Sequence, residues 1–343
     1  MVFLLGLLIL SFIITGFSLI PFINLLYKIR FQRKKQETRD VFGKLTPIFD
    51  RLHGWKAGTP VGGGLLVIIV VSLLFAILFP LTKFFGIKPS HVYPMKEEIN
   101  ILFFSFISFA LLGIYDDIMK FFGFKKRGFF GLRIRHKFVI QWILAFIIAS
   151  LLFFNLKIDI FYIPFLGVFK LGWLYIPLAA FIIVSFTNAV NITDGLDGLA
   201  SGLLMINLFA FWFLSASILD TPLSIFLALW LGSLIAFLYF NVYPARVYLG
   251  DVGALSFGAT IAVIGLLLGK IVALVVIGGW FLTEFSSSLI QILSKKFLGR
   301  KLFTVAPFHL WLQEKGWEEP KIVMRAWLVG LMLVIFGLFL AMI

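Results

Sequence analysis

Asn188-Ala189-Val190-Asn191-Ile192-Thr193-Asp194-Gly195-Leu196-Asp197-Gly198-Leu199-Ala200 lies in the middle of an otherwise oily chain. Apolar runs flank it at 172–190 and 198–218, each long enough to cross a bilayer as a helix. The stretch puts two carboxylates and two amides between them. Charge near a bilayer is costly, so such a cluster marks a functional site by default. A glycine-rich turn with polar caps is the plainer reading, but a turn needs one Asp or Asn rather than four such groups. One helical turn would set Asp194 and Asp197 on one face, and Gly195 and Gly198 would let a ligand approach the backbone closely.

The whole composition agrees with a membrane setting. Of 343 residues, 61% are hydrophobic and 13% charged, against about a quarter charged in a soluble domain. Ten apolar segments reach spanning length, at 2–26, 61–82, 99–115, 138–156, 172–190, 198–218, 222–240, 252–269, 271–293 and 323–342. The expected fold is all-α: a polytopic integral membrane protein forming one domain over 1–343. The first run lacks the basic start of a signal peptide and reads as a retained helix. A net charge of +14 fits lipid contact and topology better than nucleic acid. Cysteine is absent, which removes thiolate and disulfide chemistry.

The loops orient the chain. Lys28, Arg30, Arg33, Lys34, Lys35, Arg39, Lys44, Arg51 and Lys56 fill the first loop. Lys120, Lys125, Lys126, Arg127, Arg133, Arg135 and Lys137 fill the third, and Lys295, Lys296, Arg300, Lys301, Lys315, Lys321 and Arg325 the ninth. The even loops carry only Lys83, Lys88, Lys96, Lys157, Lys170 and Lys270. Cations gather on the cytoplasmic side, so odd loops are expected inside and both termini outside. Asp116 and Asp117 then open loop three, Asp194 and Asp197 lie in loop five, Asp251 closes loop seven and His309 lies in loop nine. All share the cytoplasmic face.

Each cluster has a chemical and a plain reading. Asp116-Asp117 is a metal or phosphate element, or an acidic interfacial cap. Adjacent carboxylates repel unless a cation sits between them. Asp251, between Gly250 and Gly253, is a helix cap, a corner of a metal site, or both. Carboxylates and lysines together suit a diphosphate held with a hard cation such as Mg²⁺. Zinc is disfavoured, since His53, His91, His136 and His309 show no close ligand spacing. Lys56-Ala57-Gly58-Thr59-Pro60-Val61-Gly62-Gly63-Gly64 is a flexible entry to a span or a phosphate-contacting loop. Glu284, mid-span, reads as a partner for a polar group inside the bundle, with a proton relay as the other reading.

In combination, Asp116-Asp117, the Asn188–Ala200 stretch and Leu249-Gly250-Asp251 resemble the polyprenyl-phosphate hexose-1-phosphate transferase superfamily. Lys56-Ala57-Gly58-Thr59-Pro60, Ala306-Pro307-Phe308-His309, Gly316-Trp317, Glu319-Pro320-Lys321 and Arg325-Ala326-Trp327 resemble its phospho-N-acetylmuramoyl-pentapeptide transferase branch. The resemblance runs from about Lys56 to the C-terminus. It implies a ten-helix enzyme of the bacterial inner membrane. That enzyme transfers phospho-MurNAc-pentapeptide from its UDP carrier to undecaprenyl phosphate with Mg²⁺, giving lipid I and UMP for peptidoglycan synthesis.

The same resemblance implies residue roles. Asp251 would hold the metal, Asp116 and Asp117 would form the catalytic acidic pair, and His309 would join them. Lys56, Thr59, Lys137, Asn188, Asn191, Asp194, Leu196, Asp197 and Asn241 would surround the substrate. Tyr248 would stack on uracil in place of the usual Phe. The family's three histidines are here His309-Leu310-Trp311, and the acid that follows them is Gln313. The acidic and polar run ahead of the first-loop motif is poorly matched by 41–55. Substrates and membrane lipids are the expected partners, nucleic acid is not, and a homodimer is compatible. A sibling that moves GlcNAc-1-phosphate is the nearest alternative. An ion-coupled transporter using Asp194, Asp197 and Glu284 is another class, disfavoured because the acids share one face and no broken-helix repeat is evident. An inactive scaffold is suggested only by the missing histidines, against five retained aspartates.

Overall fold

A computed structural model describes residues 1–32, 47–82, 84, 86, 89–121 and 134–343. Arg33, Lys34, Lys35, Arg39, Lys44, Lys83, Lys88, Lys125, Lys126, Arg127 and Arg133 lie outside the described residues, as do the side chain of Arg135 and the stretch 41–46.

Among the described residues the fold is all-α apart from one hairpin. Helices α1 (Val2–Lys28), α3 (Gly63–Leu81), α4 (Met95–Phe121), α5 (Ile134–Phe154), α6 (Tyr175–Thr193), α7 (Leu199–Ser217), α8 (Thr221–Asn241), α9 (Gly250–Leu267) and α13 (Glu319–Met342) carry the apolar runs. Nine helices are long and apolar enough to cross a membrane among the described residues. A bent pair, α10 (Ile271–Ile277) and α11 (Gly279–Phe297), meets at 77° and is apolar enough to form a tenth, broken span. Short helices α2 (Pro47–His53) and α12 (Phe308–Glu314) lie between spans. Strands β1 (Ile160–Ile163) and β2 (Gly167–Lys170) pair antiparallel between α5 and α6.

The ten segments stand where the hydropathy puts them, with instructive differences at their ends. Helix α4 continues six residues past 115, so Asp116 and Asp117 sit on its last turns rather than in a loop. Lys120 stabilises that extension by pairing with Asp116 at 3.0 Å, one turn away. Lys137 likewise belongs to the first turn of α5. Asp251 is not the cap of α9; Leu249 holds that position and Asp251 follows in the first turn. An acid there meets the positive end of the helix dipole. The segment 271–293 is broken at Gly278, which apolar composition alone does not reveal.

Burial separates the core from the lipid-facing shell. The apolar window of α9 is 94% buried and that of α8 89%, whereas α1 is 22% and α13 33% buried. Helices apolar on every face belong either in a protein core or against lipid, and here both occur. Helix α9 packs between α4 and α6, while α1 covers α8. The α4–α9 crossing is set by Gly113, where a Cβ would lie 2.3 Å from the Asp251 carbonyl oxygen. Small residues let membrane helices approach to backbone contact, and this one brings Asp116 and Asp117 up to Asp251.

Gly113→Ala is therefore expected to lower the thermal unfolding midpoint in detergent, consistent with an overpacking cost of about 1–3 kcal/mol. Gly6→Ala should leave it unchanged, because a Cβ at Gly6 meets nothing within 4 Å. Equal midpoints for the two variants would contradict this account of the crossing.

Candidate active site

Five separate pieces of chain converge on one cavity of about 270 Å³. Lys56 and Thr59 come from the loop before α3, Asp117 from α4 and Asn191 from α6. Asp194, Gly195 and Leu196 come from the turn between α6 and α7. Tyr248 and Asp251 come from the entry to α9. His53 completes a wall that the sequence motifs do not mark.

Two lysines bind the carboxylates at the α4–α9 crossing. Lys120 Nζ lies 3.0 Å from Asp116 Oδ2 and 2.8 Å from Asp251 Oδ2. Lys137 Nζ lies 2.9 Å from the same Asp116 oxygen and also contacts Asp251 Oδ2. Asp117 is held differently. Its Oδ2 accepts the Val252 backbone N–H at 3.1 Å. Gly250, at φ +79°, lets the chain turn past it; a Cβ there would meet Asp117 Oδ2 at 2.9 Å. Charge-assisted hydrogen bonds of this kind are the strong ones.

Asp194 and Asp197 part company. Helix α6 ends at Thr193 and α7 begins at Leu199, so the two acids lie on a turn and do not share a helical face. Asp194 faces the cavity beside Asp117 and Asp251. Burial pushes its carboxyl well above the usual carboxylate range; the charges of Asp251 and Asp117 push further and Lys56 pulls back. Asp197 turns inward and is 1% exposed. It accepts from Lys56 Nζ at 2.7 Å and from the Ala245 backbone N–H at 2.9 Å. Glu319 closes this second group. Its Oε1 lies 2.5 Å from Lys56 Nζ and accepts the Asp197 N–H at 2.6 Å.

The remaining residues anticipated from the motifs divide into cavity walls and supports. Tyr248 lines the cavity beside Thr59, and burial raises its phenol's pKa. Asn188 is not brought to the cavity; it donates to Gln141 Oε1 at 2.8 Å, tying α6 to α5. Asn241 is buried and holds the following loop, accepting from Ser201 Oγ at 2.5 Å and donating to the Val247 carbonyl at 2.9 Å. His309 backs the turn: a Cβ at Gly195 would lie 2.5 Å from its Nε2. Its Nδ1 lies 3.0 Å from Glu284 Oε2, which also accepts the His309 backbone N–H at 3.1 Å. Glu284 thus positions the imidazole, as the structural reading of that acid expects. Lys120 and Glu319 carried no role in the sequence reading. The i to i+4 spacing of Lys120 from Asp116 was the available signal for one of them.

A second feature adjoins the site. An apolar groove of about 590 Å³ runs along α10 to α12, between Val275, Leu282, Ile290, Phe303, Phe308 and Trp311. Helix α12 joins the two, with Phe308 and Trp311 on the groove and His309 behind Gly195. Among the described residues no three His, Cys, Asp or Glu side chains are grouped to enclose a metal on their own. The donor chemistry nonetheless fits Mg²⁺. Asp117, Asp194 and Asp251 present hard oxygens to one cavity, and Mg²⁺ usually takes one or two carboxylates and fills its shell with waters and phosphate oxygens.

Comparison with known proteins fits this geometry. Glycosyl transferase family 4 matches residues 99–269. The phospho-N-acetylmuramoyl-pentapeptide-transferase of Bacillus subtilis (strain 168) is 36% identical over 290 residues, covering 84% of this chain and 85% of that protein. The protein of the same name from Caldanaerobacter subterraneus subsp. tengcongensis is 33% identical over 319 residues, covering 93% of this chain and 92% of its own length. The chain belongs to the phospho-N-acetylmuramoyl-pentapeptide-transferase family. It is accordingly an enzyme, a glycosyl-1-phosphate transferase built from membrane helices.

The buried Lys56 triad gives a direct test of the site's electrostatics. Lys56→Met leaves Asp197 and Glu319 facing each other without a cation. Breaking a buried pair costs about 3–5 kcal/mol, so the unfolding midpoint should fall by several degrees. Adding Glu319→Gln should recover part of the loss. An unshifted midpoint in Lys56→Met would contradict the triad.

Proposed function

We propose that the chain transfers phospho-MurNAc-pentapeptide from its UDP carrier to undecaprenyl phosphate, forming lipid I and releasing UMP, in a Mg²⁺-dependent reaction. The observation that carries this reading is the convergence of Lys56, Asp117, Asp194, Tyr248 and Asp251 on one cavity. The named relatives supply the substrate class. The cation-rich odd loops support a cytoplasmic site in the bacterial inner membrane, with both termini outside.

The chemistry asked of the chain is modest. A phosphate monoester has a second pKa near 6, so the lipid phosphate arrives largely ionised. One of its oxygens bonds to the sugar-side phosphorus of the UDP-sugar. The bond from that phosphorus to the bridging oxygen breaks, and UMP leaves with the electron pair. The difficulty is bringing two polyanions together, which is a task of positioning and charge. Lys120 and Lys137 put two ammonium groups at the α4–α9 crossing, where the reacting phosphates would meet. Asp117, fixed by the Val252 N–H, orients the attacking phosphate and takes up its proton when it arrives protonated; Asp116, bound by both lysines, holds them in place. Tyr248 offers an aromatic face for uracil, beside Thr59, Asn191 and Leu196. Asp251 would be the chief Mg²⁺ ligand, and the ion, when bound, would neutralise diphosphate charge. The apolar groove beside α12 supports a place for the prenyl chain, with His309 on the same short helix as Phe308 and Trp311.

The test is product formation by purified protein. With undecaprenyl phosphate and Mg²⁺, UDP-MurNAc-pentapeptide should yield UMP and a lipid-linked product, whereas chelation of Mg²⁺ should stop the reaction. UDP-GlcNAc should not substitute; if it were the better donor, the sibling reaction would replace this one. Asp251→Asn should lower turnover by at least about 100-fold, and unchanged UMP release would refute the metal assignment.

A further inference from the structure

The cavity that gathers the carboxylates is small. At about 270 Å³ it falls below the roughly 300–1,000 Å³ of sites that enclose a drug-sized ligand. A nucleotide diphosphate sugar carrying five amino acids exceeds that range, so its peptide must lie elsewhere. The groove along α10 to α12 is a poor host, being lined almost wholly by apolar side chains on the membrane-spanning pair.

A third depression has the required character. It holds about 510 Å³, and its lining includes Trp55, Tyr243, Gln313, Trp317, Glu318 and Glu319. It is linked to the nucleotide cavity by the Lys56–Glu319 ion pair at 2.5 Å, since Lys56 lines one and Glu319 the other. Trp55 and Tyr243 stand edge to face, with ring centroids 5.5 Å apart, and both are about half exposed. Gln313 supplies the polar counterpart. Lys321 and Arg325 lie 5.1 and 4.6 Å from the Trp317 ring centre, while the charged groups of the lining itself are the carboxylates of Glu318 and Glu319.

We infer that this cleft is the subsite for the peptide arm of the sugar nucleotide. The inference rests on the donor proposed above. Trp55 and Tyr243 pack against peptide side chains, Gln313 adds a polar side chain to the wall, and the exposed Glu318 carboxylate accepts a peptide N–H. Aromatic walls with a few fixed polar groups are the usual makeup of a peptide-holding surface.

The experiment compares UDP-MurNAc-pentapeptide with peptide-free UDP-MurNAc, each with undecaprenyl phosphate and Mg²⁺. Trp55→Ala and Gln313→Ala should each raise KM for the pentapeptide donor by roughly tenfold with little change in kcat, and leave KM for UDP-MurNAc near its wild-type value. Equal rises for both donors, or no rise for either, would overturn the assignment. Should the wild type turn over neither donor, the transfer reading falls by itself, and equilibrium binding of the same two nucleotides decides the cleft. Tighter wild-type binding of the peptide-bearing nucleotide, erased in both variants, keeps the subsite; equal binding removes it. Thermal unfolding of both variants separates these outcomes from misfolding.

Discussion

Holding five aspartates at the ends of apolar helices requires cations, and the arrangement of those cations determines the rest of the site. Lys120 and Lys137 bridge Asp116 and Asp251, so one pair of ammonium groups binds α4, α5 and α9 together. Lys56 does the same for Asp197 and Glu319, binding the first loop, the central turn and α13. Repulsion among acids is thereby converted into cross-links between distant parts of the chain. Asp117, held by the Val252 N–H, and Asp194 stand outside these bridges. Asp194 faces Asp117 and Asp251, and burial, reinforced by their charges, raises its pKa. A cation and a polyanionic substrate entering together would meet a surface already carrying both signs.

The packing makes this charge cluster possible. Helices α8 and α9 are nearly enclosed by others, which leaves α1, α5 and α13 to meet lipid. A buried scaffold of that kind fixes the ends of α4 and α9 closely enough for the lysine bridges to form. Helix α12 then couples the charged cavity to the apolar groove through adjacent residues, Phe308 and His309. It also gives each residue of His309-Leu310-Trp311 a distinct place. Leu310 is buried in the core at 3% exposure and Trp311 stacks on Phe308 along the groove. Of the three positions, the histidine stands at the one that backs Gly195.

Hydropathy made the spans legible because a length of about 20 apolar residues is a strong constraint. It failed where polarity and helix coexist. Asp116 and Asp117 read as loop because charge ends an apolar run, yet Lys120 carries the helix onward. The bend at Gly278 is invisible because both of its arms are apolar. The hairpin at 160–170 is too short to stand out from a loop. In the site, the motif residues were readable as a set but not by task. Asn188 and Asn241 share the amide chemistry of Asn191, and only the fold separates the two that brace helices from the one that lines the cavity. Asp194 and Asp197 likewise look equivalent at i and i+3 until the turn sends them in opposite directions.

The central claim is that the charged cavity at the α4–α9 crossing receives the metal and the nucleotide together. Crystals grown with Mn²⁺ in place of Mg²⁺ and with UDP would test it by anomalous scattering. The account predicts one strong manganese peak at direct coordination distance from the Asp251 carboxylate, with uridine density against Tyr248. A manganese peak coordinated away from Asp251, or uridine density outside the cavity walled by Lys56, Asp194 and Tyr248, would contradict it.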